Sequence, residues 1–80
     1  MGKTTSDLLK LVGTGANIIL DVSTKSTSDI IMIVGSVGRK ESHITLTNCG
    51  QKTTSDLLMI CSVYPKNITL DFTETNKNKL

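Results

Sequence analysis

The stretch Lys3-Thr4-Thr5-Ser6-Asp7-Leu8-Leu9 returns unchanged at Lys52-Thr53-Thr54-Ser55-Asp56-Leu57-Leu58, and a near copy, Lys25-Ser26-Thr27-Ser28-Asp29-Ile30-Ile31, lies between them. Each copy runs into an apolar segment and then into a stretch in which apolar and polar residues alternate. One helix–strand unit used three times accounts for this pattern. The Ser-Asp pairs are spaced 22 and then 27 residues apart, the spacing of stacked supersecondary repeats.

Each unit opens on hydroxyl residues followed by an aspartate. A Thr or Ser oxygen there accepts a hydrogen bond from a first-turn amide, and the carboxylate favours the positive end of the helix. Apolar residues then recur at helical spacing: Leu8, Leu11 and Val12; Ile30, Ile33 and Val34; Leu57, Ile60 and Cys61. Glycines are expected to close the first two helices, at Gly13 or Gly15 and at Gly35 or Gly38, and Pro65 the third.

The alternating stretches are residues 17–23, 43–49 and 67–73, with Ile19 and Asn48 as exceptions. Ile18, Leu20, Val22, Ile44, Leu46, Ile68, Leu70 and Phe72 share one face, whereas Asp21, His43, Thr45, Thr47, Cys49 and Asp71 fall on the other. The connections between strands are long enough for helical crossovers joining parallel neighbours. The reading is an α/β fold: three helix–strand repeats, a three-stranded parallel sheet in order 1-2-3, helices on one face and a polar open face. A single domain is expected over residues 1–74, followed by a flexible polar tail at 75–80. The arrangement resembles a short arc of the leucine-rich-repeat class, in architecture only, because the Leu-x-x-Leu-x-Leu-x-x-Asn signature is absent. The stretch from Ser28 to Cys61 also resembles the second half of the histidine-containing phosphocarrier of the sugar phosphotransferase system. No phosphocarrier role carries over, since Gly2, Lys3 and Thr4 stand where that family's phosphorylated histidine and arginine would be.

The chain has 80 residues, is 38% hydrophobic and contains one Tyr, one Phe and no Trp, so the core must come from Leu, Ile, Val and Met. A net charge of +2 is too small to point to a nucleic acid or a membrane. Arg39, Lys40, Lys77 and Lys79 are scattered and lack an aromatic stacking platform. No apolar run approaches the roughly 18 residues of a membrane span, and nothing resembles a secretory signal. A cytoplasmic setting is expected, with Cys61 as a reduced core thiol. No disulfide or metal staple is evident, which leaves association as the common remedy for a small core. Aligned on Ser-Asp, Lys10, Met32 and Met59 occupy one position, and the lysine marks it as facing water. Met32 and Met59 would form an apolar stripe on the helical layer, a candidate interface.

Several motifs have simpler explanations. Gly2-Lys3-Thr4-Thr5 ends like a phosphate-binding loop but lacks its upstream strand and first glycine. The other glycine clusters follow helices, whereas phosphate loops precede them. Asn67-Ile68-Thr69 is a formal sequon inside an expected strand, and Met1-Gly2 with Ser6 a formal myristoylation pattern. His43 and Cys49 would lie roughly 20 Å apart along a strand, too far to act as base and nucleophile. One His and two distant Cys do not make a zinc set.

The polar face offers one constellation. With Ile18, Ile44 and Ile68 in one row, the remaining rows are Asn17–His43–Asn67, Asp21–Thr47–Asp71 and Ser23–Cys49–Thr73. The row of Asp21, Thr47 and Asp71, with His43 farther along, lies toward the carboxyl ends of the strands, where open α/β sheets bind ligands. Its two carboxylates sit on backbones roughly 9–10 Å apart. The expectation is a non-enzymatic domain acting through protein–protein association, as a homodimer or with another protein. The alternative is a ligand- or cation-binding module on the polar sheet face. No catalytic residue, cofactor, nucleic-acid partner or membrane is expected.

Overall fold

The computed structural model describes residues 4–73. Three helices alternate with three strands: α1 (Thr5–Val12), β1 (Ile18–Asp21), α2 (Thr27–Arg39), β2 (Ile44–Thr47), α3 (Thr54–Cys61) and β3 (Ile68–Leu70). The sheet is parallel throughout, in order β1-β2-β3, with Ile18, Ile44 and Ile68 as register partners. The tail at 75–80 lies outside the described residues.

The repeated motif builds the same helix start three times. Thr4 Oγ1 accepts from Asp7 N at 3.1 Å, Ser26 Oγ from Asp29 N at 3.2 Å and Thr53 Oγ1 from Asp56 N at 3.1 Å. Each cap satisfies one of the amides that a helix start leaves without a partner. Helices of eight residues, such as α1 and α3, are marginal alone and depend on what they cover. They cover the sheet: Val12, Ile30, Ile33, Val34, Val37, Leu57 and Ile60 close over Leu20, Ile44 and Leu46 in one core. On the other face of the sheet Ile19 is 77% exposed, and Thr45, Thr47 and Thr69 are partly or fully exposed.

α1 closes at Gly13 as expected, whereas the end of α2 differs. α2 runs through both Gly35 and Gly38 to Arg39. Ile30, Ile33, Val34 and Val37 keep the helical spacing past the first glycine, and all four are fully buried. Burial of a valine, about 1.5–3 kcal/mol, outweighs the roughly 1 kcal/mol that glycine costs inside a helix. The left-handed residue closing α2 is Glu41 (φ 57°), with Glu41 N bonded to Gly38 O and Ser42 N to Val37 O. After α1 the left-handed residue is Gly15 (φ 90°), where a side chain would be strained. α3 ends at Cys61, before Pro65, which opens a short 3-10 turn over Pro65–Asn67.

The strands are shorter than the alternating stretches. A 3-10 turn over Val22–Thr24 follows β1, and another over Cys49–Gln51 follows β2. Asn48, left-handed at φ 60°, is one extra residue that turns the chain before Cys49. Cys49 therefore takes the place of Val22 and points into the core, fully buried, instead of onto the polar face. The row Ser23–Cys49–Thr73 does not form. Cys61, expected in the core, is only partly buried. Leu11 and Phe72, both assigned inward, are 47% and 56% exposed. These three residues belong to the outer units, where among the described residues no further element covers them.

Candidate functional site

The polar face was the first candidate, and the structure shows how its side chains are used. Asp21 Oδ1 accepts from Ser23 N at 2.9 Å and from Ser23 Oγ at 2.7 Å, with Asn48 Nδ2 at 3.5 Å. Asp71 Oδ1 accepts from Thr73 N at 2.7 Å. Asp21 thus caps the 3-10 turn that follows β1, and Asp71 holds the backbone two residues on from itself. Thr47 Oγ1 donates to Leu20 O at 3.4 Å. His43 Nε2 meets Thr69 Oγ1 at 2.7 Å, while His43 N donates to Asn17 Oδ1 and Asn67 Nδ2 to Ser42 O, both at 2.8 Å. These bonds run from strand to strand and tie the sheet together at its entry end. Among the described residues, no group of three His, Cys, Asp or Glu side chains stands close enough to hold a metal ion.

The caps set the acid response. The Ser23 hydroxyl, then the Ser23 amide, hold the Asp21 carboxyl below its ordinary value of 3.8, against a smaller opposing effect of burial. The Thr73 amide, then its hydroxyl, do the same for Asp71. A carboxyl whose pKa is lower in the folded than in the unfolded chain contributes stability above the unfolded value, and loses it as pH falls through the folded one. The melting temperature should therefore drop as pH is lowered from about 5 to about 2. In the Asp21→Asn, Asp71→Asn double variant that drop should be shallower; an unchanged slope would show that the two caps contribute nothing.

Apart from Ile19 on the open sheet face, the exposed large apolar residues lie on the helices and at the two ends of the stack. Met32 and Met59 are 51% and 49% exposed on the helical layer, at the position Lys10 holds in α1. At the third unit, a groove of about 420 Å³ opens between α3 and the end of β3. Thr54, Leu57, Leu58, Cys61, Leu70 and Phe72 line it, and Leu58 is 67% exposed. The sequence reading missed this groove. Its signal was available, since Leu58, Leu70 and Phe72 are apolar in a unit that no fourth copy follows within the described residues.

The two thiols occupy contrasting environments. Burial pushes the Cys49 thiol up, helped by the nearby Asp71 charge, and Cys49 Sγ donates to Leu46 O at 3.0 Å. Cys61 lies at the groove. A maleimide added to the native protein should label Cys61 first and Cys49 only on unfolding, a sequence that peptide mapping would check and that equal rates would contradict.

Compared with known proteins, the chain matches no family model, no curated relative and no solved structure. No helix among the described residues is long and apolar enough to cross a membrane.

Proposed function

We propose that this chain is a non-enzymatic α/β repeat module that works by protein–protein association, with a second copy of itself as the first partner. The observation that carries the reading is the placement of its large apolar side chains: Leu11, Met32, Leu58, Met59 and Phe72 are each about half exposed or more, across a helical layer and the ends of a small stack. The polar face supports no rival reading of comparable weight, because its carboxylates are bonded to residues just beyond their own strands and its histidine to the neighbouring strand. Neither cysteine is in a disulfide, which fits a reducing, cytoplasmic setting.

Analytical ultracentrifugation tests the proposal. Sedimentation should depend on concentration in the micromolar range; if the Met32–Met59 stripe is the surface, Met32→Lys with Met59→Lys should weaken association about tenfold or more, as desolvating two charges requires. A wild-type chain that stays monomeric at high micromolar concentration would remove self-association.

A further inference from the structure

The three units are built alike, so the inner ones show what the outer ones lack. Within the stack α1 packs on α2 and α2 on α3. The surface that each of the first two units turns toward its successor is closed: Val12, Leu20 and Val22 in the first unit, and Val34, Leu46 and Cys49 in the second, are buried. The equivalent residues of the third unit are Cys61, Leu70 and Phe72. The first two are only partly buried, Phe72 is 56% exposed, and all three line the groove. The opposite surface, which a unit turns toward its predecessor, shows the same contrast. Ile33 in α2 and Ile60 in α3 are fully buried, while Leu11, their counterpart in α1, is 47% exposed.

The geometry points to a head-to-tail contact between copies of this chain, in which α1 of one copy fills the groove of the next and its β1 extends the sheet beside β3. This rests on the association reading above and names its surface. The fit is supplied by the sequence. The stretch that runs into α3, the helix that already packs in this manner inside the molecule, has the same seven residues as the stretch that runs into α1, from lysine to the second leucine. The residues of the polar contact at the first junction are present as well. Thr5 Oγ1 donates to Asp29 Oδ2 at 3.2 Å between the first and second units. Thr54, at the groove, stands in the place of Thr5, and Asp7 of the incoming copy in the place of Asp29. Among the described residues both β1 and β3 are edge strands with an unpaired side, and in the proposed contact the register Ile18, Ile44, Ile68 runs on to the Ile18 of the next copy. Such a contact joins two different surfaces, so it extends in a line unless its rotation closes a ring.

Two exposed leucines test this. Leu11→Glu blocks the first end and Leu58→Glu the last, and because both side chains are exposed neither change should disturb folding, which circular dichroism checks. Each variant alone should sediment as a monomer. Mixed, they retain one intact end apiece and should form a one-to-one pair that grows no further. Either variant associating alone like the wild type, or a mixture of folded variants that stays monomeric, would overturn the contact. If association survives Leu11→Glu but is lost with Met32→Lys and Met59→Lys, this contact is wrong while the association reading stands. A wild type that is monomeric throughout removes both. Cys61 gives an independent readout: its maleimide labelling should slow about fourfold once the total concentration reaches ten times the dissociation constant. A rate indifferent to concentration, or protection that persists in Leu11→Glu, overturns the assignment. Uniformly slow labelling relieved by truncation after Thr73 would give the groove to residues 74–80 and overturn it as well.

Discussion

Replacing Ile44 with alanine should remove a large part of the stability of this protein. Ile44 is the first residue of the central strand, fully buried, with Ile18 and Ile68 as its partners on either side. All three units meet there, so no single helix can move in to refill the space. Truncating a buried isoleucine to alanine costs about 2–5 kcal/mol, the upper part of the range applying where the surroundings cannot collapse. A domain of this size has roughly 4–12 kcal/mol in total. Urea unfolding followed by circular dichroism should show the midpoint falling by a third or more. Ile44→Val, which keeps most of the volume, should cost only about 0.5–1.5 kcal/mol. Ile19→Ala, one residue out of phase on the neighbouring strand and 77% exposed, should change little. If Ile19→Ala proved as damaging as Ile44→Ala, the assignment of the two sheet faces would be reversed.

The second large effect is expected at Gly38. A methyl group there would run into the ring of Tyr64 at Cγ and both Cδ atoms. Those atoms are near the base of the ring and cannot swing aside without moving the 3-10 turn that Tyr64 introduces at Pro65–Asn67. Overpacking of this kind costs about 1–3 kcal/mol, while alanine in place of glycine inside a helix returns up to about 1 kcal/mol. Gly38→Ala should therefore destabilise. In a Tyr64→Ala background the same substitution meets no ring, and its sign should reverse. A Gly38→Ala change with the same effect in both backgrounds would show that the ring does not rest on the helix.

Much of the fold was legible because its signals are local and repeated. The hydroxyl-and-aspartate start at Thr4, Ser26 and Thr53 is a contact between neighbours in sequence, so it survives whatever packs above it. The alternation through Ile18-Ile19-Leu20, Ile44-Thr45-Leu46 and Ile68-Thr69-Leu70 gave strand order and register together, since a slip of one residue would turn every apolar side chain outward. The less legible features depend on the third dimension. Gly35 reads as a stop signal until Val37, two residues later, is seen to need a place in the core. Asn48 looks like a simple break in alternation, yet as one extra left-handed residue it turns Cys49 into the core. The polar row of Asp21, Thr47 and Asp71 was correctly aligned in sequence, but which atoms its carboxylates would accept from depended on turns that periodicity does not describe. The exposure of Leu11, Leu58 and Phe72 followed from their position in the outer units; their counterparts in the middle unit, Ile33, Ile31 and Cys49, are buried or partly buried.

The equivalence of the junctions sets the length scale of anything this chain builds. Each added unit advances the array by one interstrand distance, about 4.8 Å, and a whole molecule contributes three such increments. An assembly made through its ends would therefore be measured in a fixed quantum, and adding or deleting one repeat would alter its reach without altering the contacts that hold it.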